Sequence, residues 1–194
     1  VKPVACGSVE RSVRVRPDKV SLDLKLAKPV VKVIGLDPRN ASTTKLVRTV
    51  KVENGLFAFD PARDILKLAV IERHKNTGNV GLGLVEGYRL KGGAVAMTIA
   101  HDSHNLIVIG DADRDMHVAI KKIVAIGGGI VLVKDGVVAE SLPLEVGGIM
   151  TTADASVVVE KLEAMRKVIR TMGVDPDLDD PFLVLATQNP IEQE

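Results

Sequence analysis

Polar and apolar positions alternate with a period of two from Ser12. From Ser12 to Ile34 the pattern is strand-like: "SVRVRPDKVSLDLKL" (12–26) sets valine and leucine against charge, with Pro17-Asp18 as its turn, and "VVKVIGL" follows. Residues 37–44, "DPRNASTT", form a loop of turn formers. "KLVRTVKVENG" and "LFAFD" then predict a hairpin closed by Asn54-Gly55. "DILKLAVIERH" is too continuously apolar for an exposed face, which places it in the middle of a sheet. "AVAMTIA" and "LIVIG" predict two more buried strands. Between these runs lies "NTGNVGLGLVEGYRLKGG", whose Gly81, Gly83 and Gly87 are spaced one residue too long for a dinucleotide fingerprint, so they predict a close backbone crossing.

The period then changes. In "DADRDMHVAIKKIVAIGGG" Met116, Ala119, Ile120, Ile123 and Val124 share one helical face, Asp111 or Asp113 is placed to cap the start, and Gly127 to Gly129 end it. "IVLVKDGVVAESLPL" predicts a hairpin on Asp135-Gly136. In "TTADASVVVEKLEAMRKVIRTMG" the buried face is Val158, Leu162, Met165, Ile169 and Met172; Asp154 lies near the favourable start, and Arg166, Lys167 and Arg170 near the end. The order predicts an α/β layered domain with a mixed β-sheet and two main helices, 111–127 and 154–172, preceded by β-hairpins.

The 194 residues suit one sizeable domain or two small ones, and 46% hydrophobic content permits a packed core. Aromatics are only 2% of the chain, so that core is aliphatic, and the stacking platforms of a single-strand nucleic-acid binder are missing. A net charge of +1 gives no field to steer a nucleic acid, and the early basic residues alternate with valine as a solvated strand face does. No apolar run reaches the ~18 residues of a membrane span. The lone Cys6 excludes an internal disulfide framework and points to a reducing, cytoplasmic setting. A first residue other than methionine reads as a piece of a longer protein.

Two polar clusters carry candidate chemistry. "AHDSHN" (100–105) places His101, Asp102, His104 and Asn105 between two buried strands. His101, Asp102 and His104 offer at most three ligands to a borderline divalent metal, or an imidazole beside a carboxylate for proton transfer. The plainer reading is an Asx or Ser turn. "ERH", Glu72, Arg73 and His74, also follows a buried strand, where sites are often placed; its plainer reading is a surface ion pair of Glu72 with Arg73 or Lys75. His117 reads as a half-buried helical residue without a role.

"ERH..TGN", "AHDSHN", the "GDADRDM" helix start, "GGGIVLVKDG" and "LPLEVGGIM", in this order, resemble the carboxy-terminal domain of the adenine deaminases of the amidohydrolase superfamily, over roughly residues 30–182. The resemblance implies hydrolytic deamination of adenine to hypoxanthine and ammonia. It implies a partner barrel domain, absent from this chain, whose divalent metal, manganese or iron, activates water. It also implies that this isolated chain is inactive and that the full enzyme is a homo-oligomer. His101, Asp102 and His104 would support the purine pocket or hold an auxiliary metal, and Glu72, Arg73, His74 and Asn105 would contact adenine. The alternative function is a non-catalytic scaffold or oligomerisation module. The expected organisation is a strand-rich segment 1–60 packed on a main domain 61–182, then an atypical tail, 183–194. There "LVLATQNPIEQE" is similar to a strand and sensor segment of MoxR-type AAA+ ATPases, with Asn189 in the sensor position but no phosphate-binding loop in the chain. The preceding "DPDLDDP" predicts a boundary that truncation would tolerate.

Overall fold

The computed structural model describes residues 9–10, 12–38 and 42–188; Cys6 and Asn189 lie outside them. Its strands are β1 (Val30–Leu36), β2 (Thr43–Thr49), β3 (Lys51–Glu53), β4 (Leu56–Ala58), β5 (Ile65–Ile71), β6 (Val80–Glu86), β7 (Gly93–Met97), β8 (Leu106–Gly110), β9 (Gly129–Lys134) and β10 (Val137–Pro143). Three helices accompany them, α1 (Asp113–Ile126), α2 (Ala155–Thr171) and α3 (Pro181–Ala186). Eight strands form one sheet in the order β10-β9-β7-β8-β5-β6-β1-β2, and β3 and β4 form a separate hairpin. The sheet is mixed, because β1 runs parallel to β6 while the other pairs are antiparallel.

All seven residues of β5 are buried, as expected of a central strand. Leu66, Leu68 and Val70 face a core with Met165 and Ile169 of α2 and Phe182 and Leu185 of α3. Ala69 and Ile71 face the opposite core with Met116, Ala119, Ile120 and Ile123 of α1. Both helical stripes are therefore buried where the 3.6-residue period places them, one helix layer on each face. The hairpins close as expected, with Asn54 and Gly55 at φ 52° and 78°, and Asp135 and Gly136 at φ 51° and 81°.

Three expectations are corrected. Residues 12–26 do not form a hairpin; Pro17–Lys19 is a short 3-10 turn, and Lys25 makes only a bridge to Leu56. Val13, Val15, Val20 and Leu22 instead pack into the α1-side core, so the alternation reports a strap lying on the sheet and not a strand within it. Neither Asp111 nor Asp113 caps α1, whose N-cap is Ala112 without a side-chain bond. Stronger partners take both carboxylates: Asp111 accepts from the Gly92 and Gly93 N–H groups at 2.6 and 2.9 Å, and Asp113 meets Lys67 at 2.6 Å. Finally, the stretch read as a strand from Leu183 is helical. Asp180 accepts from the N–H groups of Phe182 and Leu183 at 2.9 and 3.1 Å with Pro181 in the first turn, a helix start that overrides the strand-like "LVLA". Phe182, Val184, Leu185 and Ala186 are buried in the main core.

Candidate functional site

β5 and β8 run antiparallel with Ile71 opposite Leu106, so the segment leaving β5 and the segment entering β8 emerge side by side. This register brings "ERH" and "AHDSHN" together at one end of the sheet. His74 donates from Nε2 to the Ser103 carbonyl at 2.9 Å, which places its proton on Nε2. The Arg73 Nε–H donates to the His104 carbonyl.

The 100–105 turn is held by its backbone. His104 N–H donates to the Ala100 carbonyl at 2.6 Å, and His101 N–H to the Ala186 carbonyl at the end of α3 at 2.8 Å. His104 adopts the left-handed region at φ 47°. The His101, Asp102 and Ser103 side chains are left exposed, with His104 and Asn105 half-buried. Two buried side-chain atoms have no hydrogen-bond partner among the described residues, His104 Nδ1 and Asn105 Oδ1. Buried polar atoms are nearly always partnered, so an open pair in one turn marks a place for a further hydrogen-bonding group.

No metal-ligand set accompanies this pair. The His101 and His104 ring centroids are 6.1 Å apart at 51°, and among the described residues no three His, Cys, Asp or Glu side chains are grouped to hold an ion. His101, Asp102 and His104 are accordingly not gathered as a three-donor set in this arrangement. The turn spreads the three side chains instead of converging them.

Glu72 and Arg73 do not pair with each other. Burial raises the Glu72 carboxyl, but hydrogen bonds from the Thr77, Lys75 and His74 N–H groups and the Thr77 hydroxyl outweigh it and hold the pKa at about 2. That carboxylate shapes the 72–77 turn. Arg73 points inward and is 1% exposed. Besides His104, its guanidinium donates to the Ser12 hydroxyl at 2.8 Å and the Gly147 carbonyl at 3.0 Å. His117, half-buried on α1, stays apart from this cluster.

The third wall was not foreseen from the sequence. Buried Thr98 accepts from Gly129 N–H at 2.8 Å and donates to the Gly148 carbonyl, joining β7 to the 144–150 loop. Gly148 has φ +76°, and a Cβ there would lie 2.8 Å from Arg73 Nη1. Only glycine lets the guanidinium lie on this backbone. The paired glycines were the available signal, but their partner is 75 residues away in sequence. Glu145 braces the same loop. Backbone N–H groups of Thr152 and of Glu145 itself hold its carboxyl at about 2, against burial and with help from the Thr151 and Thr152 hydroxyls.

The chain matches the adenine deaminase C-terminal domain family over residues 40–189, a span that includes all three loops and α3. It is 43% identical over 187 residues to adenine deaminase 2 of Carboxydothermus hydrogenoformans, covering 95% of this chain and 32% of that protein. It is 44% identical over 181 residues to an adenine deaminase of Nitratidesulfovibrio vulgaris, covering 92% and 31%. With an adenine deaminase of Geobacillus kaustophilus it shares 42% over 154 residues, or 79% and 26%. The chain thus spans about a third or less of the length of these curated relatives.

Proposed function

The chain belongs to the adenine deaminase C-terminal domain family, and from that premise we propose that it is the carboxy-terminal module of an enzyme converting adenine and water to hypoxanthine and ammonia. Its partner in this reading is an amidohydrolase-superfamily barrel, carried in the part of the relatives' length that this chain does not span. That barrel holds the manganese or iron; the donors described here do not make such a site, and no chemical step is assigned to them through a metal. The enzyme works as a cytoplasmic homo-oligomer. Among the described residues no helix is long and apolar enough to cross a membrane.

Within the module, the described part of segment 1–60 packs on the 61–182 body, and α3 borders the end that carries the site. His101, Asp102 and His104 close one side of the purine pocket. The carrying observation is that the turn is anchored through its main chain while the buried His104 Nδ1 and Asn105 Oδ1 have no hydrogen-bond partner among the described residues. An imidazole and a carboxamide suit the alternating donors and acceptors of a purine edge. His74 and Glu72 support the neighbouring wall.

The test is made in the complete polypeptide that carries this chain. His101→Ala, Asp102→Ala and His104→Ala should each lower kcat/KM for adenine at least ~10-fold, or ~1.4 kcal/mol, while unfolding midpoints stay put. The isolated 194-residue chain should release no ammonia above buffer. Full activity in all three variants would remove the loop from the pocket, and chelator-sensitive deamination by the isolated chain would refute the division of labour.

A further inference from the structure

Arg73 is a buried cation whose hydrogen bonds do not go to a carboxylate. Its guanidinium reaches the His104 carbonyl, the Ser12 hydroxyl and the Gly147 carbonyl, and no salt bridge closes on it among the described residues. Removing a charge from water without a directly bonded carboxylate, with only the through-space attraction of Glu72, costs several kcal/mol, so a tie needed only for packing would be made more cheaply by an apolar side chain. The planar guanidinium offers something else, N–H groups fixed in a fork that can address three acceptors at once. Those acceptors lie on three separate segments: the 100–105 turn, the 144–150 loop and the strap ahead of Val13. Gly148 is kept free of a side chain where the fork lies. The Arg73 main chain adds a fourth tie, its carbonyl accepting from Arg14 N–H at 2.7 Å.

We infer that Arg73 is the positioning residue of the His101–Asn105 turn, setting the direction of the two imidazoles through the His104 carbonyl. The inference rests on the reading of this turn as one wall of the purine pocket, but its structural half stands independently. His104 occupies a left-handed backbone conformation that a non-glycine residue adopts only when neighbours hold it there. The contacts holding it are its own N–H to Ala100 and the Arg73 fork on its carbonyl. A lysine would keep the charge yet place a single ammonium where three directed bonds now leave.

The experiment compares Arg73→Lys, Arg73→Met and Ser12→Ala. In the 194-residue chain, imidazole NMR signals and amide hydrogen exchange report the turn separately from global unfolding. Arg73→Lys should move the His101 and His104 ring signals and raise His104 amide exchange at least ~10-fold. Ser12→Ala, which spares the His104 bond, should leave both in place. In the complete polypeptide, Arg73→Lys should lower kcat/KM for adenine about as much as His104→Ala, and the double variant should lose no more than either alone, because both changes act through one group. Should Arg73→Met fail to fold, Arg73→Lys and Ser12→Ala still decide the matter. Arg73→Lys with wild-type ring signals and exchange would overturn the inference whatever the activity. Shifted ring signals with undiminished deamination by both Arg73→Lys and His104→Ala would instead sink the pocket reading while leaving the positioning role intact.

Discussion

The buried carboxy-terminal helix makes a prediction opposite to that of an expendable tail. In α3, Leu185 is 1% exposed and Val184 9%, whereas Leu183 on the outer side is 56% exposed. Burying one such aliphatic side chain contributes about 1.5–3 kcal/mol, so ending the chain at residue 182 removes roughly 3–6 kcal/mol from these two alone. That is a large part of the about 5–15 kcal/mol that stabilises an ordinary domain. It also removes the Ala186 carbonyl that receives the His101 N–H. The point variant is cleaner. Leu185→Ala opens a cavity in the core shared with Met165 and Ile169 and should cost about 2–5 kcal/mol. At about 2–4 °C per kcal/mol for a chain of this size, Tm should fall by at least ~4 °C. Leu183→Ala, identical chemistry two residues away, should fall within about 0.5 kcal/mol of the parent. Urea and thermal unfolding followed by circular dichroism measure all three. Equal midpoints for Leu185→Ala, Leu183→Ala and the chain ending at 182 would show that α3 is not packed as described.

Three further outcomes are expected. Lys67, 1% exposed, bonds the Leu22 carbonyl at 2.7 Å and Asp113 at 2.6 Å and lies 5.2 Å from the Phe59 ring centre; Asp113→Ala should cost about 1–3 kcal/mol by stranding the ammonium, whereas Lys67→Met should cost less, and the reverse order in urea melts would refute the pair's role. Because the folded Glu72 and Glu145 carboxyls titrate at about 2, below their ordinary 4.5, their contribution is complete above about pH 4.5 and lost as the pH falls toward about 2. Amide protection in 74–77 and at 152, measured against the intrinsic exchange rate at each pH, should fall across that window, and Glu72→Gln should abolish the effect in the first segment only. Gly148→Ala brings a Cβ to 2.8 Å from Arg73 Nη1 at φ +76°, so it should destabilise by about 1–3 kcal/mol and shift the His104 signals as Arg73→Lys does. Unchanged stability and signals would mean the backbone relaxes freely there.

Local chemistry was legible wherever the partners are close in sequence. Asn54-Gly55 and Asp135-Gly136 both supply the positive φ pair of a tight hairpin, and the structure closes both turns there. The uninterrupted apolar run of β5 announced a strand covered on both faces, and the stripes of α1 and α2 announced which residues would do the covering. Misreadings came where a residue had a distant competitor. Asp111 and Asp113 are good caps in isolation, but Gly92, Gly93 and Lys67, all brought in by the sheet, bind them more strongly. In α3 the local signal was present, since Asp180-Pro181 is a helix start, and a resemblance of the following residues to a foreign strand obscured it.

The candidate site shows the same division more sharply. Each polar loop could be picked out because it follows or precedes a buried strand and carries side chains with no use in a core. That the two loops meet depends on the Ile71–Leu106 register, and a strand partner cannot be read from either loop. The register also reverses the roles suggested by residue type. Of the most ligand-like members of "ERH", Arg73 turns into the fold to hold the backbone of neighbouring loops and Glu72 holds the N–H groups of its own turn, so the exposed surface falls to His101, Asp102 and His74. A charged side chain beside a site can recognise a ligand or build the wall that recognises it. Here hydrogen-bond geometry decides between the two: the three acceptors of Arg73 belong to the protein itself, whereas His104 Nδ1 and Asn105 Oδ1 have no hydrogen-bond partner among the described residues.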